Sequence, residues 1–348
     1  MPSDIKFFSL VRRMHSAYAN WSADSRLSQL ESSSDKRLRG ELDDNDYDHA
    51  EIVNDYYDLC HELMEYGWGD SLHFAPIATN ESLEDAVVRH QRLMIEKLEL
   101  EESMQVIDIG CGVGGPMRRV AKEAGVKVYC INNNEYQLSQ AKVKNEAAGL
   151  NHLAEYVKCS FMDMSSLNAD MFDAGYAIES TCHAPDKLHA FAEIFRVLKP
   201  GARLWGQEMC LTDNFESTNA HHQTLKKELM RGIALKDIAS FHEVNSMLEA
   251  VGFEILEAND LAKSEESNTP WYNPMVSQSG SLGNFFRRTP IGRALVQWTI
   301  RVTEFTGLFP PHAHKVVKLM DRTAEAYVNG GKEGIFTPLY CFVARKPE

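Results

Sequence analysis

From residue 104 onward, short apolar runs alternate with amphipathic stretches at a spacing that limits the fold. Met104–Ile109 (MQVIDI) is a near-continuous apolar run of strand length, the pattern of a strand covered on both faces. A glycine-rich turn, GCGVGG, follows it, and then a helix through Glu123. Val126–Ile131, Ala154–Lys158, Asp173–Ile178, Ala202–Glu208 and Phe253–Asn259 read as five further strands. Between them lie helical patterns over Glu135–Ala148, Asp186–Leu198, Thr218–Gly232 and Ser240–Ala250, with Lys199-Pro200-Gly201 as a stop signal. Repeated βα units of this length predict a parallel, doubly wound α/β sheet with helices on both faces. No internal repeat interrupts them.

The flanks have a different texture. Residues 1–48 form an extension without a clear apolar period. From His49, apolar positions Ile52, Tyr56, Leu59, Leu63 and Tyr66 recur at helical spacing, and the loop EYGWGDSLHF (Glu65–Phe74) ends that helix. A second helix is predicted over about Leu83–Leu98. After a polar linker at Ser264–Thr269, the chain becomes rich in aromatics, Pro and Arg, and Phe336–Ala344 (FTPLYCFVA) reads as a strand returning to the sheet. The stretch between the last two strands, about 70 residues, is too long for a plain loop and predicts a cap. The resulting division is 1–48 extension, 49–83 helix and aromatic loop, 84–262 core, 263–335 cap and 336–348 last strand.

Within the cap, Asn284-Phe-Phe-Arg-Arg288 precedes Ile291, Leu295, Trp298, Val302 and Phe305 at helical spacing, with four Arg and no acid from Phe285 to Thr303. This pattern suits an interfacial helix with its apolar face in lipid, and equally a lid packed over a cavity. No run of about 18 uncharged apolar residues marks a membrane span. The N-terminus lacks the order of a secretory signal. The expectation is a cytoplasmic protein, with peripheral contact at the endoplasmic reticulum membrane left open, and with it assembly into a homo-oligomer.

Charge narrows the partners. The net charge is −14, and no Lys or Arg occurs between Arg39 and Arg89, where 14 acids run from Glu41 to Asp85. Such a surface repels phosphate backbones, so nucleic acid is not expected as a partner. The seven cysteines (60, 111, 130, 159, 182, 210 and 341) form no CxxC pair. They suggest neither a disulfide framework nor a metal site.

The candidate chemistry centres on Val106-Ile-Asp-Ile-Gly-Cys-Gly-Val-Gly-Gly115. Glycines at a strand-to-helix turn let a ligand approach the backbone. Gly110, Gly112 and Gly115 also satisfy a dinucleotide fingerprint, which keeps a nicotinamide enzyme as an alternative. Against it, Asp108 stands immediately before the turn, where a carboxylate can meet the ammonium of an amino-acid moiety. Asn132-Asn133-Asn134, not an acid, ends the second strand. A carboxylate beside a Gly loop suits S-adenosylmethionine, with Cys111 and Gly114 in the same turn, Asn132, Asn133 and Gln137 near a ribose, and Ser160, Phe161 and Met162 near an adenine. These positions follow successive strands at their carboxyl ends, where open α/β sheets bind ligands.

EYGWGDSLHF, IDIGCGVGGPMRRVA, INNNEYQLSQAK and YAIESTCHAPDK, in this order, together with the C-terminal GGKEGIFTPLYCFVARKP, resemble the sterol 24-C-methyltransferase family from roughly residue 50 to the end. The resemblance implies a Rossmann-like, seven-stranded methyltransferase sheet with an N-terminal helical arm and a C-terminal cap inserted before the last strand. It also implies S-adenosylmethionine-dependent methylation of the Δ24 alkene of a sterol side chain, without metal. Attack by the alkene leaves a side-chain carbocation that aromatic faces can stabilise, and Tyr66 and Trp68 are the candidates. A base must then remove a proton. Glu179 and His183 are the first candidates, with Glu65, His73 and Glu208 behind them, and Glu179 is also carried as a cofactor contact.

Other acceptors (another lipid, an isoprenoid, an amine) and a non-catalytic sterol-binding protein are the alternatives. Departures from the family pattern occur at Gly206-Gln207-Glu208-Met209, where relatives carry Tyr-Glu-Trp, at Glu228–Lys236, and at Ser160, where relatives tend to have Asp. They bear on which sterol is taken and on whether one or two methyls are added.

Overall fold

A computed structural model describes residues 9–15, 18, 28, 32–33, 36, 49–276 and 290–348, and within 290–296 the backbone only. Asn284–Arg288 and the side chains of Ile291 and Leu295, singled out above, lie outside the described set. The chain divides into two compact units. One gathers residues 1–69, 218–235 and 272–332, and the other residues 70–217, 236–271 and 333–348.

The second unit holds a seven-stranded sheet in the order β3-β2-β1-β4-β5-β7-β6. Its strands are β1 (Gln105–Ile109), β2 (Lys127–Asn132), β3 (Ala154–Lys158), β4 (Phe172–Ile178), β5 (Leu198–Leu211), β6 (Glu254–Asp260) and β7 (Phe336–Arg345). Strands β1 to β5 pair in parallel, and β7 runs antiparallel between β5 and β6. The chain's last strand does return to the sheet. Strand β5 is longer than its apolar run suggested. It starts at Leu198 and carries Pro200 and Gly201 through a register shift opposite Phe172–Ala174. Gly201 adopts φ +80° there, so the expected stop is absorbed as an irregularity.

Alternation along the strands sends successive side chains to opposite faces. Val106, Val128, Cys130, Tyr176 and Val343 join one apolar cluster with Met94, Leu98, Met117, Val120 and Leu138. That face is covered by the α-helices Leu83–Lys97, Gly115–Ala124 and Glu135–Ala147. Ile107, Ile109, Phe172, Leu204 and Phe342 join the opposite cluster with Phe191, Ile194, Val244 and Leu248. These last four belong to helices Lys187–Val197 and Phe241–Val251.

In chain order the helices are α1 (His49–Trp68), α2 (Leu83–Lys97), α3 (Gly115–Ala124), α4 (Glu135–Ala147), α5 (Lys187–Val197), α6 (Ala220–Gly232), α7 (Phe241–Val251), α8 (Pro290–Phe305) and α9 (Ala313–Lys332). The first unit is helical, built from α1, α6, α8 and α9. Leu10, Val11 and Met14 pack with Ile52, Tyr56, Leu59 and Cys60 of α1 and with Ala313, Val316 and Leu319 of α9. The apolar stripe of α1 fades at its end, where Tyr66 is exposed. Helix α9 fixes α6: the Thr323 hydroxyl lies 2.7 Å from Gly232 O, and Arg322 donates to both oxygens of Glu228 at 2.8 and 3.0 Å. Thus Thr218–Leu235, inside the stretch 84–262 read as one core, clusters with the cap residues instead.

The crossover between β1 and β4 sets the geometry of the site. The chain leaves β1 toward β2 and β3, then returns to β4 on the other side, which opens a crevice at the carboxyl ends of β1 and β4. Gly110 closes β1 with φ +80°, and a Cβ there would overlap the Ser180 side chain that follows β4. Ser180 Oγ in turn donates to Ile109 O. Only glycine fits that approach. Gly112 also has positive φ (+53°), yet open space surrounds it. Gly110→Ala should therefore destabilise the fold by about 2 kcal/mol or more, and Gly112→Ala by about 1 kcal/mol. Thermal unfolding of the two variants checks this ordering.

Candidate active site

Three glycines with positive φ (Gly110, Gly112 and Gly114) carry the turn from β1 into α3. Gly110 N and Cys111 N both donate to Ile131 O, at 2.9 and 3.0 Å, which ties the turn to the end of β2. A Cβ at Gly115 would collide with Asp70 O and Ser71 Oγ, so Asp70 and Ser71 lie directly over the start of α3. Asp70 is held there by Arg118 and Lys144, at 2.8 and 2.9 Å. The backbone N–H groups at a helix start and a turn of alternating glycines form a cradle for a polar ligand.

Asp108 is buried at the end of β1, and its one hydrogen-bond donor is Tyr176 Oη at 2.9 Å. Burial pushes its carboxyl from 3.8 up to about 7, and the Tyr176 hydroxyl offsets part of that rise. Among the described residues no cation meets this carboxylate, a setting that suits the ammonium of an amino-acid tail. At the end of β2, Asn132 Nδ2 donates to Gln137 Oε1 at 2.9 Å and Asn132 Oδ1 accepts from Asn134 N, while Asn134 Oδ1 caps α4 through Gln137 N. Asn133 is half-buried beside them. After β3, Ser160 Oγ accepts from Met162 N at 3.1 Å, and Phe161 packs on the apolar cluster beneath. The residues present fit S-adenosylmethionine.

The loop after β4 brings further groups to the same edge. Glu179 is buried and adopts φ +51°, rare for a residue with a side chain. Its Oε1 accepts from Phe74 N at 2.6 Å and from Gln207 Nε2 at 2.8 Å. Desolvation pushes its carboxyl up to about 8, against the lowering effect of the Phe74 N–H. His183 is buried in the short turn Thr181–His183.

Glu208, equally buried, is committed elsewhere. Lys187 Nζ lies 2.8 Å from its Oε2 and the Thr181 hydroxyl donates to Oε1, so it pins this loop. His73 Nδ1 lies 2.8 Å from Phe74 O, and its Nε2 lies 2.9 Å from Gln91 Nε2. The amide can only donate, so the neutral ring carries its proton on Nδ1 and its Nε2 lone pair is engaged. Burial pulls this ring down to about 4.

Asp108, the glycine turn, Glu179, His183, His73 and Glu208 thus belong to the sheet-bearing unit. Glu65, Tyr66 and Trp68 belong to the helical unit at the end of α1. There Glu65 is paired with Arg13 and lies 3.3 Å from His61 Nε2. Tyr176, Lys187, His90 and Gln207 were not foreseen. The signals were a polar pair, Gln207-Glu208, inside the apolar run of β5, and His90-Gln91 on the apolar stripe of α2. Among the described residues, no group of three or more His, Cys, Asp or Glu is placed to hold a metal ion.

The raised Asp108 carboxyl has two consequences. The folded apoprotein holds this proton more tightly than the unfolded chain, so the group's contribution to stability is fullest below pH 3.8 and is lost as pH rises to about 7. Binding an ammonium needs the ionised form, so affinity for S-adenosylmethionine should fall roughly tenfold per pH unit below about pH 7, with proton release on binding near neutrality. Asp108→Asn should flatten that dependence, weaken binding by about 1.5–3 kcal/mol at pH 8, and raise the melting temperature of the apoprotein there. Titration calorimetry across pH and thermal unfolding measure all three.

Comparison with known proteins agrees with this geometry. The family description "Sterol methyltransferase C-terminal" matches residues 284–348, and "Methyltransferase domain" matches 107–206. Cycloartenol-C-24-methyltransferase 1 of Oryza sativa subsp. japonica is 42% identical over 299 residues, 86% of each chain. Cycloartenol-C-24-methyltransferase of Arabidopsis thaliana is 40% identical over 309 residues, covering 89% of this chain and 91% of that one. Among solved structures, the mycolic acid cyclopropane synthase CmaA1, complexed with SAH and CTAB, shares the fold. Its TM-score is 0.64 at 17% identity, over 87% of this chain and 100% of that one. With its glycine turn, its Asp108 and its C-terminal segment, this chain belongs to the sterol 24-C-methyltransferase family.

Proposed function

We propose that the chain transfers a methyl group from S-adenosylmethionine to C24 of a Δ24 sterol side chain, and that Glu179 takes the proton whose loss ends the reaction. Family membership supports the methylation at C24, and the buried, two-donor setting of Glu179 supports its role. When bound, S-adenosylmethionine supplies an electrophilic methyl group on a sulfonium.

This chain's residues do the rest. Asp108 and the backbone of Gly110–Gly115 would hold the amino-acid end, and Asn132, Asn133 and Gln137 the ribose. An alkene is a weak nucleophile, so alignment in a dry site carries much of the barrier reduction. Tyr66 and Trp68, at the end of α1, are the aromatic candidates that the family resemblance offers for the side-chain carbocation; a ring can contribute about 0.5–2 kcal/mol to a nearby cation.

Loss of a proton from the cation forms the product alkene: the C–H pair becomes the new π bond and the proton passes to the Glu179 carboxylate. A buried carboxyl near 8 holds that proton well and is half-ionised close to working pH. His73 is a weaker candidate, because its basicity is depressed to about 4 and its unprotonated nitrogen already accepts from Gln91. Glu208 is neutralised in place by Lys187. Glu179→Gln should lower turnover about 10²-fold or more and divert the cation to isomeric alkenes or an alcohol. Labelled-methyl assays with chromatographic analysis of the products read both effects. An unchanged rate with unchanged products would remove Glu179 from the mechanism.

A second element of the reading concerns where the sterol comes from. Along α8 and just beyond it, Trp298 (63%), Val302 (40%), Phe305 (92%) and Leu308 (41%) are exposed at helical spacing. The segment from Phe285 to Thr303 has four Arg and no acid, in a chain of net charge −14. An exposed apolar face in an Arg-rich, acid-free segment fits an anionic lipid surface. No helix among the described residues is long and apolar enough to cross a membrane. Flotation with vesicles containing phosphatidylserine should capture the protein, and Trp298→Ser with Phe305→Ser should release it, while turnover of detergent-dispersed sterol changes little.

A further inference from the structure

Strand β5 buries two adjacent polar side chains completely, Gln207 and Glu208. Lys187 and Thr181 account for Glu208. The Gln207 amide meets four groups. Its Nε2 lies 2.8 Å from Glu179 Oε1, 3.1 Å from Pro338 O and 3.2 Å from Phe74 O, all acceptors. Its Oε1 lies 2.8 Å from His90 Nε2. A single amide orientation satisfies these contacts, with the nitrogen toward Glu179 and the oxygen toward His90. The imidazole must therefore donate from Nε2.

Burial pulls the His90 ring down to about 3, so it is neutral and carries one proton. With that proton on Nε2, Nδ1 is a bare nitrogen, buried with no hydrogen-bond partner among the described residues. The ring is held in place by the edge of Trp205, with centroids 5.8 Å apart. A directed chain results: His90 Nε2–H to Gln207 Oε1, and Gln207 Nε2–H to Glu179 Oε1. Helix α2, strand β5 and the loop after β4 each contribute one member.

We propose that Gln207, held in one orientation by His90 at its oxygen and by three acceptors at its nitrogen, is a positioning residue for the final proton acceptor: it keeps a donor on Glu179 Oε1, favours the ionised carboxylate and leaves Oε2 to take the proton. This rests on the reading of Glu179 as that acceptor. Without His90 the amide oxygen loses its donor and Gln207 is held only from its nitrogen side, by Glu179, Pro338 O and Phe74 O, so the bond to Oε1 is less firmly directed and the protonated acid gains. The other titratable groups around Glu179 are the Lys187-paired Glu208 on β5, the thiols of Cys182 in the same loop and Cys341 on β7, and His73 beyond Phe74. None of them is a donor to Oε1; the donors there are Phe74 N and Gln207.

The test follows the Glu179 carboxyl directly, by infrared difference titration of the full chain, using the band that Glu179→Gln abolishes. The native midpoint is expected near 8. Gln207→Met keeps the length of the side chain and removes the donor, and should move the midpoint up by about one pH unit. The acid limb of turnover should follow it, so the variant is roughly tenfold slower near neutrality and recovers at high pH. His90→Phe, a second variant at a different position, should shift the midpoint in the same direction. Unchanged midpoints in both variants, with Glu179→Gln still altering rate and products, would overturn the positioning role and leave the acceptor intact. If Glu179→Gln alters neither rate nor products, the acceptor reading fails, and the proposal with it.

Discussion

Taking a carboxylate out of water is costly unless its charge is met, and at the carboxyl edge of this sheet three carboxylates are buried within one crevice region. Asp108, Glu179 and Glu208 are each less than a tenth exposed. What differs is what meets them. Glu208 has an ammonium and a hydroxyl, Glu179 two N–H donors, and Asp108 a single phenol. Burial alone would make all three structural liabilities. The graded supply of donors separates them into a fixed clamp, a titratable group and a carboxyl met by one phenol.

That grading depends on the β1–β4 crossover. Because Gly110 lets the two strand ends approach, Ser180 reaches Ile109 O and the following residue on each side is forced into a tight turn. The left-handed backbone at Glu179 belongs to the same constraint. It turns the side chain back toward Phe74 and Gln207, away from the continuation of the strand. Lys187, at the start of α5, then anchors the loop through both Glu208 Oε2 and Thr181 O. Removing that lysine would leave a buried carboxylate without its counter-charge, so the clamp and the titratable group are held by one element.

The layout of the sheet was legible because its signals are local. The MQVIDI run, the GCGVGG turn and the βα period each fit within a few residues, and Asp108 stands next to the turn it serves. Much of the rest was not, because its meaning lies in partners far along the chain. His90 and Gln207 are 117 residues apart in sequence and meet only when α2 lies on β5. In sequence they are two polar residues within apolar patterns, a signal of something buried and satisfied but not of what satisfies it. Pro200-Gly201 read as a stop because a bulge within a strand has the same composition as its end. Helix α9 was hidden by Gly330-Gly331 near its end, and its bond to α6 through Thr323 and Gly232 spans 91 residues.

The buried pair Gln207-Glu208 makes the residue at position 207 of β5 decide which hydrogen bonds reach Glu179. A side chain at position 207 is fully buried among Phe74 O, Pro338 O, Glu179 and His90. An aromatic ring could fill that volume, but even a phenol offers one donor, while Gln207 offers two N–H groups and an acceptor. The amide therefore couples His90 to Glu179, a link that a phenol donating to the carboxylate would make only by accepting from His90 through the same oxygen. Substituting the residue at this point changes the number and direction of the hydrogen bonds reaching the carboxyl, and leaves the sheet, the glycine turn and Asp108 as they are. The hydrogen bonding of Glu179 can thus change while the glycine turn and the Tyr176–Asp108 bond stay as they are.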